Sequence, residues 1–274
     1  MGLTGSRGSK ALRRLGGLAA LALMAAAAAL NPPAAAATAA SFCAGLGGTW
    51  DETYCRTSVL SERNALRDIK VAVPAELIDD PAAGPVLRDY LTTLVGNWRR
   101  AGASMVADSF GEANYQIFRR AGTVSAVFRE TYHADGPDFN NAYRTFTFDT
   151  ATGRQLQLAD LVKPGVDPLT AIPPLAEPFV VQALDRAPPQ HQPGSYPFLA
   201  ERWTPRNVYS GGYRAWALTP DELVLYMPDY PVAHDTPLDY TPGLMQWSMD
   251  GGTVQAHIPL GVLSPVLRGG YGGG

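Results

Sequence analysis

From Leu15 to Leu30 almost every residue is leucine or alanine, and no charge interrupts the run. Arg7, Lys10, Arg13 and Arg14 precede it, and small residues with Pro32-Pro33 follow it from Asn31 to Ala39. A basic region, an apolar region and a small-residue exit are the three zones of a secretory signal peptide. Residues 1–39 are read as such a leader, with cleavage after Ala37 or Ala39. The remainder then folds outside the cytoplasm. Arg13-Arg14 raises the twin-arginine route, but Leu15-Gly16-Gly17 departs from that pattern and the general route is favoured. A retained anchor is the alternative; the apolar run is short for a span of ~20 residues. A lipoprotein reading built on Cys43 meets a large Phe42 at the position that should be small. No other apolar run is long enough to span a membrane.

Cys43 and Cys55 are the only cysteines, and both lie just inside the mature start. In an exported chain the simplest reading is one disulfide. Gly45, Gly47, Gly48 and Asp51 let the intervening loop turn. A metal pair or a redox pair is the alternative, without a CxxC or a nearby histidine to support it. With 274 residues, 46% hydrophobic and 17% charged, the chain can bury a real core. Without the four basic residues of the leader, 18 basic residues face 25 acidic ones. Such an acidic protein lacks the electrostatic footprint of a nucleic-acid or anionic-membrane binder.

Along the mature chain, residues 69–73 alternate and end at Pro74, as a first strand would. A helix is expected over 82–101, with Leu87, Leu91, Leu94 and Trp98 on one face and the Asp79-Asp80 pair at its start. Strands are expected over 104–110 and 112–119, broken at Gly111, then over 122–132 and 142–148. A tight turn at 149–153 leads to a strand over 155–158. Together these suggest an antiparallel meander. Asp167-Pro168 starts a helix, Pro173-Pro174 break it, and a second piece runs over 175–184. Residues 187–206 read as a surface loop. Strands over 212–218 and 222–227 flank Thr219-Pro220-Asp221, a long loop spans 229–243, and a last strand covers 253–259. A short helix closes the chain over 260–267. The fold class is α+β: antiparallel sheets with one long helix and one broken helix alongside. Residues 40–268 form one secreted domain, divided into the 43–55 loop, an N-terminal half at 64–130 and a C-terminal half at 131–268. The Gly-rich tail at 269–274 is expected to be disordered.

Several stretches, in a fixed order, resemble a known group. They are the Cys43…Gly47-Gly48-Thr49…Cys55 loop, the strand from Asn141 to Asp149, the Thr152–Leu161 segment, the Trp216–Met227 hairpin and the final 254–267 stretch. This set is similar to the RsiV-type extracytoplasmic domain of unknown function and to the secreted mycobacterial immunogenic proteins of the MPT/MPB type. The segment from Tyr132 to Pro137 stands where that group carries a Gly-rich, His-containing turn. The resemblance implies export and an α+β fold but no single activity. RsiV-type proteins sense lysozyme, and some relatives are mannan-binding or esterase-like.

No GxSxG supplies an esterase nucleophile, and Ser125 and Ser210 read as ordinary strand or loop residues. His133 beside Asp135 and His234 beside Asp235 form a possible polar site; His191 and His257 suggest a loop and a polar strand face. Zinc-ligand spacing is absent, Gly45–Gly48 lacks the Lys-Ser/Thr of a phosphate loop, and neither cofactor nor metal is expected. Sugar binding would use exposed aromatic faces; Trp203, Tyr209, Tyr213, Tyr230 and Tyr240 gather around the two long loops. The same rings could instead pin those loops to the sheet. The reading is a secreted, non-enzymatic binding or antigen-like protein, its partner a protein or glycan outside the cytoplasm. A weak non-standard esterase and a glycan- or lysozyme-binding module are the alternatives.

Overall fold

The computed structural model describes residues 34–133, 139–228, 240–243 and 253–273. The basic and apolar zones of the expected leader fall outside these residues. Its small-residue exit enters α1 (Ala34–Gly45), which seats Ala39 and Cys43 in the core. Cys43 and Cys55 are disulfide-bonded. Gly48 is required beside the bridge, since a Cβ there would lie 2.5 Å from Cys55 Sγ.

Six strands follow in spatial order: β1 (Thr49–Trp50), β2 (Tyr54–Leu60), β3 (Leu66–Ala72), β4 (Ser109–Arg120), β5 (Thr123–His133) and β6 (Phe139–Asp149). The long helix, α2 (Ala83–Gly102), lies between β3 and β4. Asp80 caps its start by accepting from Ala82 N and Ala83 N at 2.9 and 2.8 Å, while Asp79 pairs with Arg88 at 2.8 Å. Leu87, Leu91, Leu94 and Trp98 are fully buried on the face the spacing predicted. A 20-residue helix at 1.5 Å per residue carries the chain back along the sheet. Strands β3 and β4 therefore pair in parallel, the one departure from the expected antiparallel order.

Gly111 does not break a strand. It sits inside β4, where a Cβ would lie 2.6 Å from the Trp98 ring, so the glycine makes room for the indole. Residues 104–108 are turn and loop rather than strand, and β2 was not anticipated. In β5, Val124, Ala126 and Phe128 pack under α2 with Phe148 of β6. The opposite face of the sheet receives a second, antiparallel sheet: β7 (Trp216–Leu218), β8 (Glu222–Pro228) and β9 (Thr253–Pro259). Val127, Ala217, Val224 and Tyr226 fill that seam. Ser125 Oγ, 2.8 Å from Thr147 Oγ1, accepts from Leu218 N at 3.1 Å and so stitches the two sheets through buried polar groups.

On the far side of the second sheet, α4 (Pro168–Ala171) and α5 (Pro173–Arg186) form the broken helix, with Asp167 accepting from Leu169 N at 3.2 Å as the cap. The layers run α2, large sheet, small sheet, α5. Asp149 organises the turn after β6 by accepting from Ala151 N and Thr152 N. The strand expected over 155–158 reduces to a single bridge at Gln155 before α3 (Leu158–Leu161) begins. Asp160 accepts from Gln157 N at 2.7 Å and pairs twice with Arg154, which favours the helical turn.

The 187–206 segment is not purely a surface loop. Phe198 and Trp203 are buried, and Ala200–Trp203 forms a 3-10 turn. The strand expected from 212 starts only at Trp216, because Gly211, Gly212 and Tyr213 are all left-handed. After α6 (Leu260–Leu263), residues 269–273 are ordered where composition suggested disorder. Gly269–Tyr271 forms a 3-10 turn, held by Arg120 Nη1 donating to Gly270 O at 3.0 Å.

Candidate functional site

On the α2 face of the large sheet, Glu130 of β5 and Arg144 of β6 stand among apolar side chains. Glu130 is fully buried and Arg144 nearly so. Arg144 Nε donates to Glu130 Oε1 at 3.0 Å. Tyr90 of α2 donates its hydroxyl to the same oxygen at 3.1 Å, and Gly243 N donates to Oε2 at 3.3 Å. Arg144 Nη2 also reaches Thr241 O at 3.4 Å. One buried ion pair thus ties α2, two strands and the 240–243 segment together. Burial first, then the Glu130 charge, pushes the Tyr90 phenol well above its ordinary range, which keeps it a donor.

Over this network opens a cleft of ≈ 420 Å³. Asp89, Tyr90 and Thr93 of α2 form one wall, and Tyr143 to Phe146 of β6 form another. Arg214 and Ala215 close one side, with Tyr240 and Pro242 beside them. The exposed Arg214 guanidinium stands 4.6 Å over the Tyr240 ring, and Tyr240 donates its hydroxyl to Gly211 O at 2.6 Å. Tyr143 stacks on Tyr226 of the small sheet at 4.7 Å. Aromatic walls with a few fixed polar groups over a rigid base are what a small-molecule site requires.

The residues expected from sequence distribute differently. Of the four described aromatics among them, Tyr240 lines this cleft. Trp203, Tyr209 and Tyr213 are buried core residues beside α5, so they pin the loop rather than offer open faces. Edges of Trp203 and Tyr213 still reach a second, separate pocket. Tyr230, Asp135, His234 and Asp235 lie outside the described residues. His133, at the end of β5, stacks on Phe110 at 5.7 Å. His191 stacks on Phe198 at 3.8 Å, and His257 pairs with exposed Glu222 at 2.9 Å. Ser210 Oγ donates to Asn207 O and accepts from Gly212 N, a turn role. Among the described residues no three His, Cys, Asp or Glu side chains converge to hold a metal ion.

Tyr90, Glu130, Arg144 and Arg214 were not singled out from sequence. A signal was present for two of them. Glu130 continues the buried row Val124, Ala126, Phe128, and Arg144 continues the row of Phe146 and Phe148. A charge on the apolar face of a strand demands a partner, and the register supplies one.

Comparison with known proteins bears on the second half of the chain. Residues 159–261 match the family described as protein of unknown function (DUF3298). The matched segment runs from α3 to the start of α6, so it includes Arg214, Tyr240 and Pro242 but neither α2 nor β6. A crystal structure of a DUF3298 family protein from Pseudomonas aeruginosa PAO1 is similar at a TM-score of 0.51 with 16% identity, covering 81% of this chain and 95% of that one. A DUF3298 family member from Bacteroides fragilis is similar at a TM-score of 0.46 with 12% identity, covering 79% and 92%. At 16% identity the likeness to the Pseudomonas protein speaks for the fold alone. No curated protein matches the chain.

Proposed function

We propose that this chain is an exported binding protein without catalytic activity, and that its ligand seats in the cleft between α2 and β6. The observation that carries the reading is the cleft itself: tyrosine and phenylalanine walls, Arg214 and Asp89 at the rim, and a buried ion pair fixing the floor. Sugars suit such walls, since their apolar faces stack on aromatic rings while hydroxyls meet rim donors and acceptors. The glycan-binding alternative read from sequence thus moves from the aromatic loops to this cleft, with Tyr240 common to both.

Export is supported by the leader and by the Cys43–Cys55 bridge, which fits an oxidising compartment. No described helix is long and apolar enough to cross a membrane. A cut after Ala37 would keep the buried Ala39, whereas a cut after Ala39 would remove it. The resemblance to RsiV-type domains and secreted mycobacterial immunogenic proteins favours the same reading.

The test is retention of the exported protein on immobilised cell-wall glycans and on lysozyme, with ester hydrolysis followed in parallel. Glycan retention without turnover, weakened about tenfold by Tyr240→Ala or Arg214→Ala, is the expected result, as loss of one anchoring contact costs about 1.4 kcal/mol. Retention on lysozyme alone would make the partner a protein. Turnover abolished by His133→Ala or His234→Ala would make the protein an enzyme.

A further inference from the structure

One wall of the cleft between α2 and β6 is the edge of a strand. Just past β6, Thr150 N donates to Gly122 O at 3.0 Å, across the turn side of the β5–β6 pair. The register then runs unbroken from Thr123↔Asp149 to His133↔Phe139. Antiparallel pairing alternates along such a ladder. Even-numbered residues of β6 therefore turn their main-chain N–H and C=O toward β5, and odd-numbered residues turn theirs away. The end of the strand agrees with this parity and is covered. Asp149 N donates to Arg154 O at 2.9 Å, and Thr147 O accepts from Leu156 N at 2.7 Å. At Thr145 and Tyr143 that cover stops. Among the described residues no group bonds the main-chain N–H or C=O of either, although both lie within a strand.

The side chains place this open edge in the cleft. Arg144 and Phe146 project to the α2 face, where Arg144 meets Glu130 and the Phe146 ring lies 5.1 Å from that of Tyr90. Tyr143 and Thr145 project to the opposite face. There Tyr143 stacks on Tyr226, and Thr145 Oγ1 accepts from Trp216 N at 2.9 Å. All four residues line the one cleft. A cavity that touches consecutive residues from both faces of a strand lies along its edge.

Such an edge has a specific complement. Two N–H donors and two C=O acceptors, repeated about 6.8 Å apart along the strand, match the main chain of another extended segment. Sheets commonly blunt an exposed edge with proline, charge or a bulge. Tyr143 and Thr145 are good strand formers, and the ladder behind them has no bulge. The walls carry opposite charges. Asp89 on α2 and Arg214 across the cleft are exposed, and neither has an ion-pair partner among the described residues. Successive side chains of a strand point to opposite faces. An incoming strand thus sets alternate residues against each wall, basic ones toward Asp89 and acidic ones toward Arg214.

We propose that β6 accepts an extended segment of a second polypeptide as a further strand of the large sheet. The segment pairs through Tyr143 and Thr145 and carries basic and acidic side chains in alternation. The proposal rests on the reading of this cleft as the ligand site, and it adds a peptide strand to the sugar that suits the aromatic walls.

The experiment follows amide hydrogen exchange of the intact oxidised protein during titration with an acetylated, amidated tetrapeptide of alternating lysine and glutamate. In the free protein the Arg144 and Phe146 amides, paired to β5, should exchange slowly, and those of Tyr143 and Thr145 fast. Peptide at ten times its Kd should slow the latter two about tenfold. In a strand, N–H direction and side-chain face alternate together. Of two peptides N-methylated only at the lysines or only at the glutamates, one should therefore bind and the other not. Asp89→Asn, at an exposed position, should weaken binding about twofold to fivefold. Slow exchange of Tyr143 and Thr145 in the free protein, equal binding of the two methylated peptides, or no saturable effect would overturn the proposal. So would protection that grows with protein concentration alone, which would make a second copy the occupant. Glycan retention that depends on Tyr240, without any peptide effect, would remove the strand and leave the cleft as the ligand site. Loss of both would remove the cleft as well.

Discussion

Glu130→Gln is the substitution that most directly tests how the cleft is held. The side chain keeps its size and one carbonyl acceptor, so the change is chiefly loss of charge. Glu130 is fully buried and Arg144 is 6% exposed, so the guanidinium loses its carboxylate in a setting where solvent replaces it poorly. Removing one partner of such a pair costs about 3–5 kcal/mol, much of it the penalty of the unpaired charge left behind. That is a large share of a total stability of about 5–15 kcal/mol. The tie to Tyr90 and Gly243 is weakened as well, so the cleft walls should loosen along with the fold. Urea unfolding of the wild type, Glu130→Gln, Glu130→Leu, Arg144→Met and the Glu130→Leu/Arg144→Met pair measures the effect. The apolar pair should recover much of the loss, because no charge remains buried. Full recovery is not expected, since the Tyr90 hydroxyl and Gly243 N–H lose an acceptor at about 1–3 kcal/mol each. If Glu130→Gln costs under about 0.5 kcal/mol, or the cycle shows no coupling, the pair is not the buried cross-link described.

Further outcomes follow from the same structure. Gly111→Ala places a methyl into the Trp98 ring and should lower stability by about 1–3 kcal/mol, read as a fall in thermal midpoint. Reducing the Cys43–Cys55 bridge, or Cys55→Ser, should cost about 3 kcal/mol by the chain-entropy estimate for so short a loop, seen as a lower urea midpoint under dithiothreitol. Burial raises the Tyr213 phenol to about 12. A raised folded value gives stability that is complete below the unfolded value near 10 and is lost as pH climbs toward 12, at about 1.4 kcal/mol per pH unit. Tyr213→Phe should flatten the alkaline limb of the stability profile by that slope.

Much of the fold was legible because local signals agreed with burial. The α2 stripe, the Asp167-Pro168 start, the Pro173-Pro174 break and the Asp149–Gly153 turn all appear where their residue types place them. Where the structure differs, a local signal is overridden by a side-chain contact made elsewhere in the chain. Gly111 reads as a turn until Trp98, thirteen positions earlier, is laid against it. Gln155 to Leu158 alternates like a strand, but Arg154 and Asp160 lock a helical turn across it. The glycine-rich end looks unstructured until Arg120 reaches over to hold it.

The site was less legible for a related reason. Aromatic residues near long loops were weighed as a ligand surface, yet composition cannot distinguish a ring that faces water from one that anchors its loop. Trp203 and Tyr209 pack with tilted rings 5.5 Å apart within the core and leave little face for a ligand. What marks a site here is the opposite kind of residue, a polar group in an apolar setting. Glu130 and Arg144 break the apolar rows of two neighbouring strands. A buried polar group costs free energy unless something meets it. For Glu130 the partners are Arg144, Tyr90 and Gly243, and the result is a rigid floor under the cleft.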